Sequence, residues 1–388
     1  MKNIKNISRA FFCLLFALFN FACGHTAYAT ALDASFIEIS PFSNTHKDEE
    51  LISPKSVCIH PTEKKMYINA LEAGKTLVYS TDKFEKIKTI NHSFNNHQDP
   101  KPGTLFFGKP VECQFTHHGK YLWTTYYRWS DDPNAMGPSG FSIIDTNSNE
   151  IVKVFPTGNI PKFITSNDND TILAVTLWGE NKVELYDIHD PQNTSLIVTI
   201  PLGAKVSADP GSNRDQTCGL CLRGTAFIPN TDLIAVAQMG SGGGIWLVNY
   251  QTHKPVRFLK NLPPTPRHLE FYQNWLYLSS NISGTISKIS LEDLIHAASD
   301  TTFEPKIESK QIGEGARTIK IFNGKIYVAL NQSLKLAISS LDFKNIIYLD
   351  APAYPVGLDV NDQIIVVTSQ GRNNQGGHRV RVYPNQNN

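Results

Sequence analysis

Two cysteines three residues apart, Cys218 and Cys221, form the closest pair of metal-binding or redox-active side chains in the sequence. Covalent haem attachment requires a histidine directly after the second cysteine, and Leu222 stands there instead. A redox thiolate usually begins a helix, and no helical pattern follows this pair. A zinc or copper site would need further ligands, for which His268 and Met239 are candidates. The pattern favours a local disulfide that rigidifies a loop, with metal and redox sites as alternatives.

A second group of residues could bind an anion. Five basic residues occupy the second position of a repeated segment: Lys55, Lys162, Arg223, Arg267 and Arg317. Clustered cations repel one another unless an anion or nearby carboxylates offset their charge. One interpretation is local pairing with Asp209, Asp215, Glu112 or Glu270. The other is an anion-binding site, because arginine suits carboxylate and phosphate geometry.

The repeated segment identifies the elements that position these cations. "PKSVCIHPTEKKMYI" at 54 aligns residue for residue with "PKFITSNDNDTILAV" at 161, and further copies begin at 110, 222, 266, 316 and 355. Val111 and Val356 hold the second position in the two copies without a cation. Each copy reads as two strands joined by a polar turn, followed by a third strand. The copies start 39 to 61 residues apart, close to the ~40 to 50 residues of a propeller blade.

The last copy lacks a fourth strand, and an additional strand, "SFIEISP" at 35, precedes the first copy. Pairing of these terminal strands would close a ring and remove its open edges. We therefore predict an all-β fold: a seven-bladed β-propeller with four-stranded blades, closed by its N-terminal and C-terminal strands. Only "LEDLIHAASD" at 291 indicates a helix.

The blade register also predicts where side chains lie. The first strand of each blade should line the central channel, so the five cations and the Cys218–Cys221 loop meet at one mouth. Four aromatic residues of the mouth loops are expected to be exposed and able to stack on a flat ligand: Tyr126, Tyr127, Trp129 and Trp178. Three histidines are expected to be solvated turn residues on the far face: His60, His117 and His118.

Cys58 and Cys113 fall at the fifth and fourth positions of their segments. Successive strand residues point to opposite faces, so the two thiols should lie on opposite blade faces. We predict that they are buried free thiols.

The first 29 residues have the pattern of a secretory signal peptide, with Lys2, Lys5 and Arg9 ahead of an apolar run and Ala27-Tyr28-Ala29 at its end. Residues 30–388 then form a single propeller domain, with 33 basic and 35 acidic residues and a net charge of −2. No later apolar run reaches the ~18 residues of a membrane span. The expected location is the periplasm or the exterior, and lipidation at Cys23 is the alternative.

Several segments carry a resemblance to a known family, among them "AVT" and "VVTSQG" in second strands, "CGLCLRGT", "QMGSGGG" and "YPVGL". They resemble the YncE-like YVTN-repeat β-propellers, in particular an exported bacterial subgroup, over essentially all of residues 30–388. The resemblance implies the propeller fold and no particular reaction, because the fold is shared by binding proteins, lactonases and cofactor enzymes. It also raises DNA binding, which has been ascribed to a family member.

These observations together predict an exported, monomeric binding or scaffold protein that works through a basic channel mouth. The partner would be an anionic small molecule or a protein, and no cofactor is expected. Two alternatives use the same mouth: a lactonase-like hydrolase and a redox protein. Nucleic-acid binding is a third, although the net charge of −2 opposes it.

The exported protein is expected to begin at or near Thr30, because signal peptidase cleaves after the small residue Ala29. Intact-mass measurement of protein recovered from its native compartment checks this. A diacylglyceryl group on an N-terminal Cys23 would contradict it.

Overall fold

The computed structural model describes residues 35–95, 105–127, 138–203, 220–240, 242–371 and 377–385. The predicted signal peptide lies outside these ranges. Among the described residues, no helix is both long enough and apolar enough to cross a membrane.

Seven four-stranded antiparallel sheets form the ring. In blades 1 and 2 the strands are Pro54–Ile59, Lys65–Ala70, Lys75–Ser80 and Lys86–Asn91, then Pro110–Thr116, Tyr121–Tyr126, Pro138–Asp145 and Glu150–Asn159. In blades 3 and 4 they are Pro161–Ser166, Ile172–Leu177, Lys182–Asp187 and Ser195–Pro201, then Leu222–Phe227, Leu233–Gln238, Gly244–Asn249 and Lys254–Leu259.

Blades 5 and 6 repeat this plan. Their strands are Pro266–Tyr272, Trp275–Ser280, Thr285–Ser290 and Glu308–Gln311, then Ala316–Phe322, Lys325–Leu330, Lys335–Ser340 and Ile346–Asp350. Blade 7 contains Pro355–Val360, Ile364–Ser369, Arg379–Pro384 and the N-terminal strand Ile37–Ile39. Ile37–Ile39 pairs antiparallel with Arg379–Pro384, with Glu38 opposite Arg381. The predicted fold and ring closure are therefore confirmed.

The hydrophobic core is divided into layers between neighbouring blades. Because alternate residues of a strand face opposite sides, each blade contributes to two layers. In the second strand of blade 1, Tyr67 belongs to a cluster shared with Leu122 of blade 2, whereas Met66 and Ile68 belong to a cluster shared with Val366 of blade 7. Similar layers fill the other blade interfaces. The ring is stabilised by these face-to-face contacts, since burial of apolar area is the main favourable term in folding.

Two short insertions decorate the ring. A hairpin of Ser93–Asn95 and Leu105–Phe107 lies between blades 1 and 2 and was not predicted. The predicted helix in blade 5 is present at Leu291–Ser299. Ser290 caps its N-terminus by accepting a hydrogen bond from the Asp293 amide, and Leu294 and Ala297 are buried in the layer between blades 4 and 5.

Cys58 and Cys113 form a disulfide with a Cα–Cα distance of 6.3 Å, so the prediction of free thiols is wrong. The inference of opposite blade faces fails to exclude a bond because in a ring the leading face of one blade meets the trailing face of the next. Cys58 and Cys113 both pack against the layer between blades 1 and 2. The disulfide fits an oxidising compartment.

Removal of this disulfide by Cys58→Ser/Cys113→Ser is expected to lower the free energy of unfolding by about 4 kcal/mol, because the bond closes a 55-residue segment. Urea denaturation checks the loss, with Cys218→Ser/Cys221→Ser as the matched control. The control should lose only about 2 kcal/mol, since any bond between those two cysteines closes a much shorter loop. Thiol titration of unreduced, unfolded protein that finds Cys58 and Cys113 reactive would contradict the assignment.

Candidate anion-binding site at the channel mouth

A β-bulge lies at the start of the first strand in all seven blades. In blade 1, Pro54 pairs with Ala70 and Ser56 with Asn69, so Lys55 has no partner in the ladder. The other six blades also shift register by one residue after the first residue, and in blades 2, 4, 5 and 6 the third residue lacks a partner as well as the second. A bulge re-aims the side chain of the extra residue. The second position of the repeat, where the cations stand, is thus the position that the bulge displaces from the regular sheet.

The chain enters five of these strands through a residue with positive φ. The residues are Ser53, Ile160, Thr265, Gly315 and Tyr354, with φ between 52° and 78°. Left-handed backbone is costly for β-branched residues such as Ile160 and Thr265. The surrounding ring therefore imposes this turn immediately before the bulge.

A hydroxyl from the second strand connects each of two bulges to the next blade. The Phe163 amide donates to Thr176 Oγ1 (3.1 Å), and the same hydroxyl donates to the carbonyl of Arg223 in blade 4 (2.9 Å). In blade 5 the His268 amide donates to Ser279 Oγ (3.3 Å), which donates to the carbonyl of Arg317 (2.5 Å). We call this pair of hydrogen bonds the hydroxyl relay. It ties the backbone of one cation to the bulge of the preceding blade.

Blades 4 and 6 have alanine at this place in the second strand, Ala237 and Ala329. In blade 6 the hydroxyl comes from the first strand instead, because Thr318 Oγ1 donates to the Val356 carbonyl. In blade 4 the neighbouring backbones approach directly: a Cβ on Gly224 would lie 2.7 Å from the Arg267 carbonyl. The Thr318 hydroxyl in blade 6 and the absent side chain of Gly224 in blade 4 thus each allow close packing of neighbouring first strands.

Four of the five cations come within electrostatic range of one another. Burial is the largest cause that lowers the pKa of Lys55, to about 7; Glu112 opposes it, and the charges of Arg317 and Arg267 lower it further. Burial likewise lowers the pKa of Arg267 well below its ordinary value, and Arg317 and Arg223 add to this effect. The structure thus brings Lys55, Arg223, Arg267 and Arg317 together, as the repeat predicted.

Glu112 is the acidic residue that enters this group. Lys55 Nζ lies 3.0 Å from Glu112 Oε1, and both side chains are largely buried. The expected pairing with a carboxylate is therefore present for Lys55. Glu270 accepts a hydrogen bond from the Ile321 amide (3.2 Å) and is attracted by Lys320, and Asp209 and Asp215 lie outside the described residues.

Lys162, the fifth cation, is held by aromatic rings. Its Nζ lies 3.3 Å from the centre of the Tyr127 ring and 5.1 Å from that of Trp178, and Arg223 lies 5.5 Å from the same Trp178 ring. Cation–π attraction of this kind stabilises a desolvated cation. Tyr127 is 8% exposed and Trp178 2%, so the expectation of exposed stacking residues is wrong for both. Tyr126 is fully buried as well, and Trp129 lies outside the described residues.

Arg267 is a poorly compensated cation. It is 4% exposed, and no hydrogen-bond partner reaches its Nε within the described part of the chain. Its Nη1 faces the sulfur of Met239 at 3.7 Å, and Arg223 Nε donates to the same sulfur at 3.1 Å. A thioether is a weak acceptor, so it offsets little of the positive charge.

Aromatic rings of two blades meet at the third position of the repeat. Phe163 of blade 3 and His268 of blade 5 meet edge to face with ring centres 5.2 Å apart. Burial and the nearby charges of Arg267, Lys55, Arg317 and Arg223 hold the pKa of His268 well below its ordinary value, so its ring is neutral at pH 7. At the fifth position of the repeat, Glu270, Lys320 and Asp359 form a separate charged layer, in which Lys320 Nζ lies 3.9 Å from Asp359 Oδ1.

Cys221 is disulfide-bonded and fully buried, next to Trp178 and Val111. Cys218 lies outside the described residues, so the Cys218–Cys221 bond stays a prediction. A search of the described ranges finds no cluster of three or more histidine, cysteine or acidic residues suited to a metal. His60 is buried and bonded through Nε2 to the Gly119 carbonyl at 3.1 Å, so the expectation that it is solvated is wrong.

Comparison with solved structures supports the fold. The crystal structure of the Myceliophteria thermophila Cps50 (Swd1) β-propeller domain superposes with a TM-score of 0.63 at 9% identity, and the match covers 90% of this chain and 100% of that domain. No protein-family model matches the sequence. No curated protein matches it. The chain is therefore similar to a propeller of very different sequence, a likeness that concerns the fold alone.

Replacement of the relay hydroxyl by Thr176→Val is expected to lower the free energy of unfolding by about 1–3 kcal/mol, because the partly buried Phe163 amide and Arg223 carbonyl each lose a partner. Urea denaturation measures the loss. Thr199→Val, in the outermost strand of the same blade, is the matched control and should change stability by less than about 0.5 kcal/mol. Equal effects of the two substitutions would show that the relay is unimportant.

Proposed function

We propose that this protein is an exported scaffold that binds an anionic group at the channel mouth through Lys55, Arg223, Arg267 and Arg317, with Lys162 at the edge of the site. The observation that carries the proposal is the environment of Arg267. Its buried guanidinium is repelled by two other arginines and attracted by Glu112. Its Nη1 faces the thioether of Met239, where an oxygen acceptor would be expected. A buried charge in this condition is stabilised by a bound counter-ion.

The surroundings of the cations indicate the ligand class. An apolar cluster lies on one side of the mouth and contains Leu71, Val111, Tyr127, Ile160, Trp178 and Cys221. The Phe163–His268 ring pair lies one residue further along the first strands than the cations, so aromatic surface adjoins the charged groups. A carboxylate or phosphate carried on an apolar or aromatic body matches this combination, whether it belongs to a small molecule or to a side chain or terminus of a partner protein.

The alternatives rest on weaker observations. A hydrolase or redox reaction would need a catalytic group beside the cations, and the neutral His268 is the nearest candidate. DNA binding would use the same cations on phosphates, but Lys55, Arg267 and Arg317 are buried and Arg223 is half-buried, so they could not track an extended backbone. The buried, convergent arrangement therefore favours a compact anionic group.

Calorimetric titration with inorganic phosphate and with citrate tests the proposal. Arg267→Met should weaken binding by roughly 10- to 150-fold, the equivalent of ~1.5–3 kcal/mol for a lost charge-assisted hydrogen bond. The control Arg257→Met removes the same charge from an outer strand, where Arg257 pairs with Glu304, and should bind as the parent does. Affinity should also fall with added salt. Equal affinity of parent and Arg267→Met would exclude the proposed site.

The affinity for the anion is expected to fall as the pH rises through about 7, because the lowered pKa of Lys55 removes one positive charge from the site. His268 stays neutral over this range, and Lys55 is the cation whose pKa lies within it. Citrate, whose own charge is nearly constant above pH 7, is titrated at pH 7 and 9 against the parent and Lys55→Met. A pH dependence that persists in Lys55→Met would contradict this assignment.

A further inference from the structure

Met239 occupies an unusual position between two guanidinium groups. Arg223 Nε donates to its sulfur at 3.1 Å and Arg267 Nη1 faces it at 3.7 Å. We propose that Met239 is a site of reversible oxidation, at which hydrogen peroxide converts the thioether to a sulfoxide whose oxygen the two arginines then bind. The modification stands on this geometry; its effect on anion binding rests on the function proposed above.

The reaction is an oxygen-atom transfer. A lone pair of the Met239 sulfur attacks one oxygen of the peroxide, so that an S–O bond forms and the O–O bond breaks. Sulfur is oxidised by two electrons, the peroxide is reduced by two, and its other oxygen leaves as water. Each thioether and peroxide thus give one sulfoxide and one water. Methionine sulfoxide reductases, which use a dithiol as reductant, restore the thioether.

The surroundings favour the sulfoxide at this residue. A thioether sulfur is a weak acceptor, whereas a sulfoxide oxygen is polar and carries partial negative charge. A sulfoxide oxygen set at an angle to the line between the Met239 sulfur and Arg267 Nη1, now 3.7 Å apart, would come within ordinary hydrogen-bond distance of that nitrogen. It would lie next to an Nε that lacks a partner among the described residues. Met239 is half-buried at the mouth, whereas Met66 is fully buried in the core layer between blades 7 and 1.

This arrangement has a consequence that is opposite to the usual one. Methionine oxidation ordinarily destabilises a protein because it places a polar group in an apolar environment. At Met239 the new oxygen would offset the repulsion among Arg223, Arg267 and Arg317, and it would occupy the space beside Arg267 that an anion needs. Oxidation should therefore stabilise the anion-free protein and weaken anion binding.

Limited treatment of the folded protein with hydrogen peroxide, followed by peptide mapping, tests the modification. The peptide with Met239 should gain one oxygen before the peptide with Met66, and a sulfoxide reductase should reverse the gain. In phosphate-free buffer the oxidised protein should melt at a higher temperature than the reduced protein. Arg267→Leu, which adds no oxidisable sulfur, should remove that increase. A lower melting temperature after oxidation of Met239, or its oxidation no earlier than Met66, would overturn the proposal.

The link to binding is tested separately. Oxidised parent should bind phosphate at least ~10-fold more weakly than reduced parent, in line with loss of one charge-assisted hydrogen bond. Met239→Leu, whatever its own affinity, should keep that affinity after peroxide treatment. If the melting temperature rises on oxidation while phosphate binds neither form, the oxidation site stands and the proposed anion function fails. If phosphate binds both forms with equal affinity, oxidation of Met239 does not control anion binding at the mouth.

Discussion

The β-bulge at the second position of the repeat is the constraint on which the mouth depends. A regular strand would send this side chain into one of the two core layers beside its blade. The bulge removes it from the ladder in every blade, and in blades 3 and 5 the hydroxyl relay then fixes the backbone of the next blade's cation. Four cations thereby come together, although Lys55 and Arg317 are separated by 262 residues in the sequence.

This arrangement has a cost in stability that the rest of the ring offsets. Converging cations repel one another, and burial removes the water that would screen them. The Lys55–Glu112 ion pair and the rings of Tyr127 and Trp178 compensate part of this repulsion. The core layers between blades and the Cys58–Cys113 disulfide hold the first strands in place against the remaining repulsion among the cations. Such conflict between local electrostatics and global stability is typical of functional sites.

Much of the fold could be predicted from the sequence because its signals are local. Alternation of apolar residues, turn residues and blade spacing identified the strands, and the isolated N-terminal strand indicated how the ring closes. The convergence of the cations followed from the same register. These features need only the position of each residue within its own blade.

Features that depend on neighbouring blades were missed. The Cys58–Cys113 bond requires the geometry of adjacent blades in a ring, which a strand pattern alone does not contain. Tyr127 and Trp178 read as exposed loop residues, but they are buried because they pack on Lys162 and Cys221. The bulge has no sequence signature of its own apart from the hydroxyl residues that cap it in four blades, Thr125, Thr176, Ser279 and Thr368. The sequence indicated Met239 only as a candidate metal ligand, because its position between Arg223 and Arg267 depends on contacts between two blades.

The most direct test of the central claim is the stability of Arg267→Met in buffer free of multivalent anions, measured by urea denaturation beside the parent. If the cations are held in place to bind an anion, removal of one repelled charge should leave the free energy of unfolding unchanged or raise it, and added phosphate should stabilise the parent far more than the variant. A loss of about 3 kcal/mol or more in anion-free buffer, with no effect of phosphate on the parent, would show that Arg267 is a paired structural residue and contradict the account.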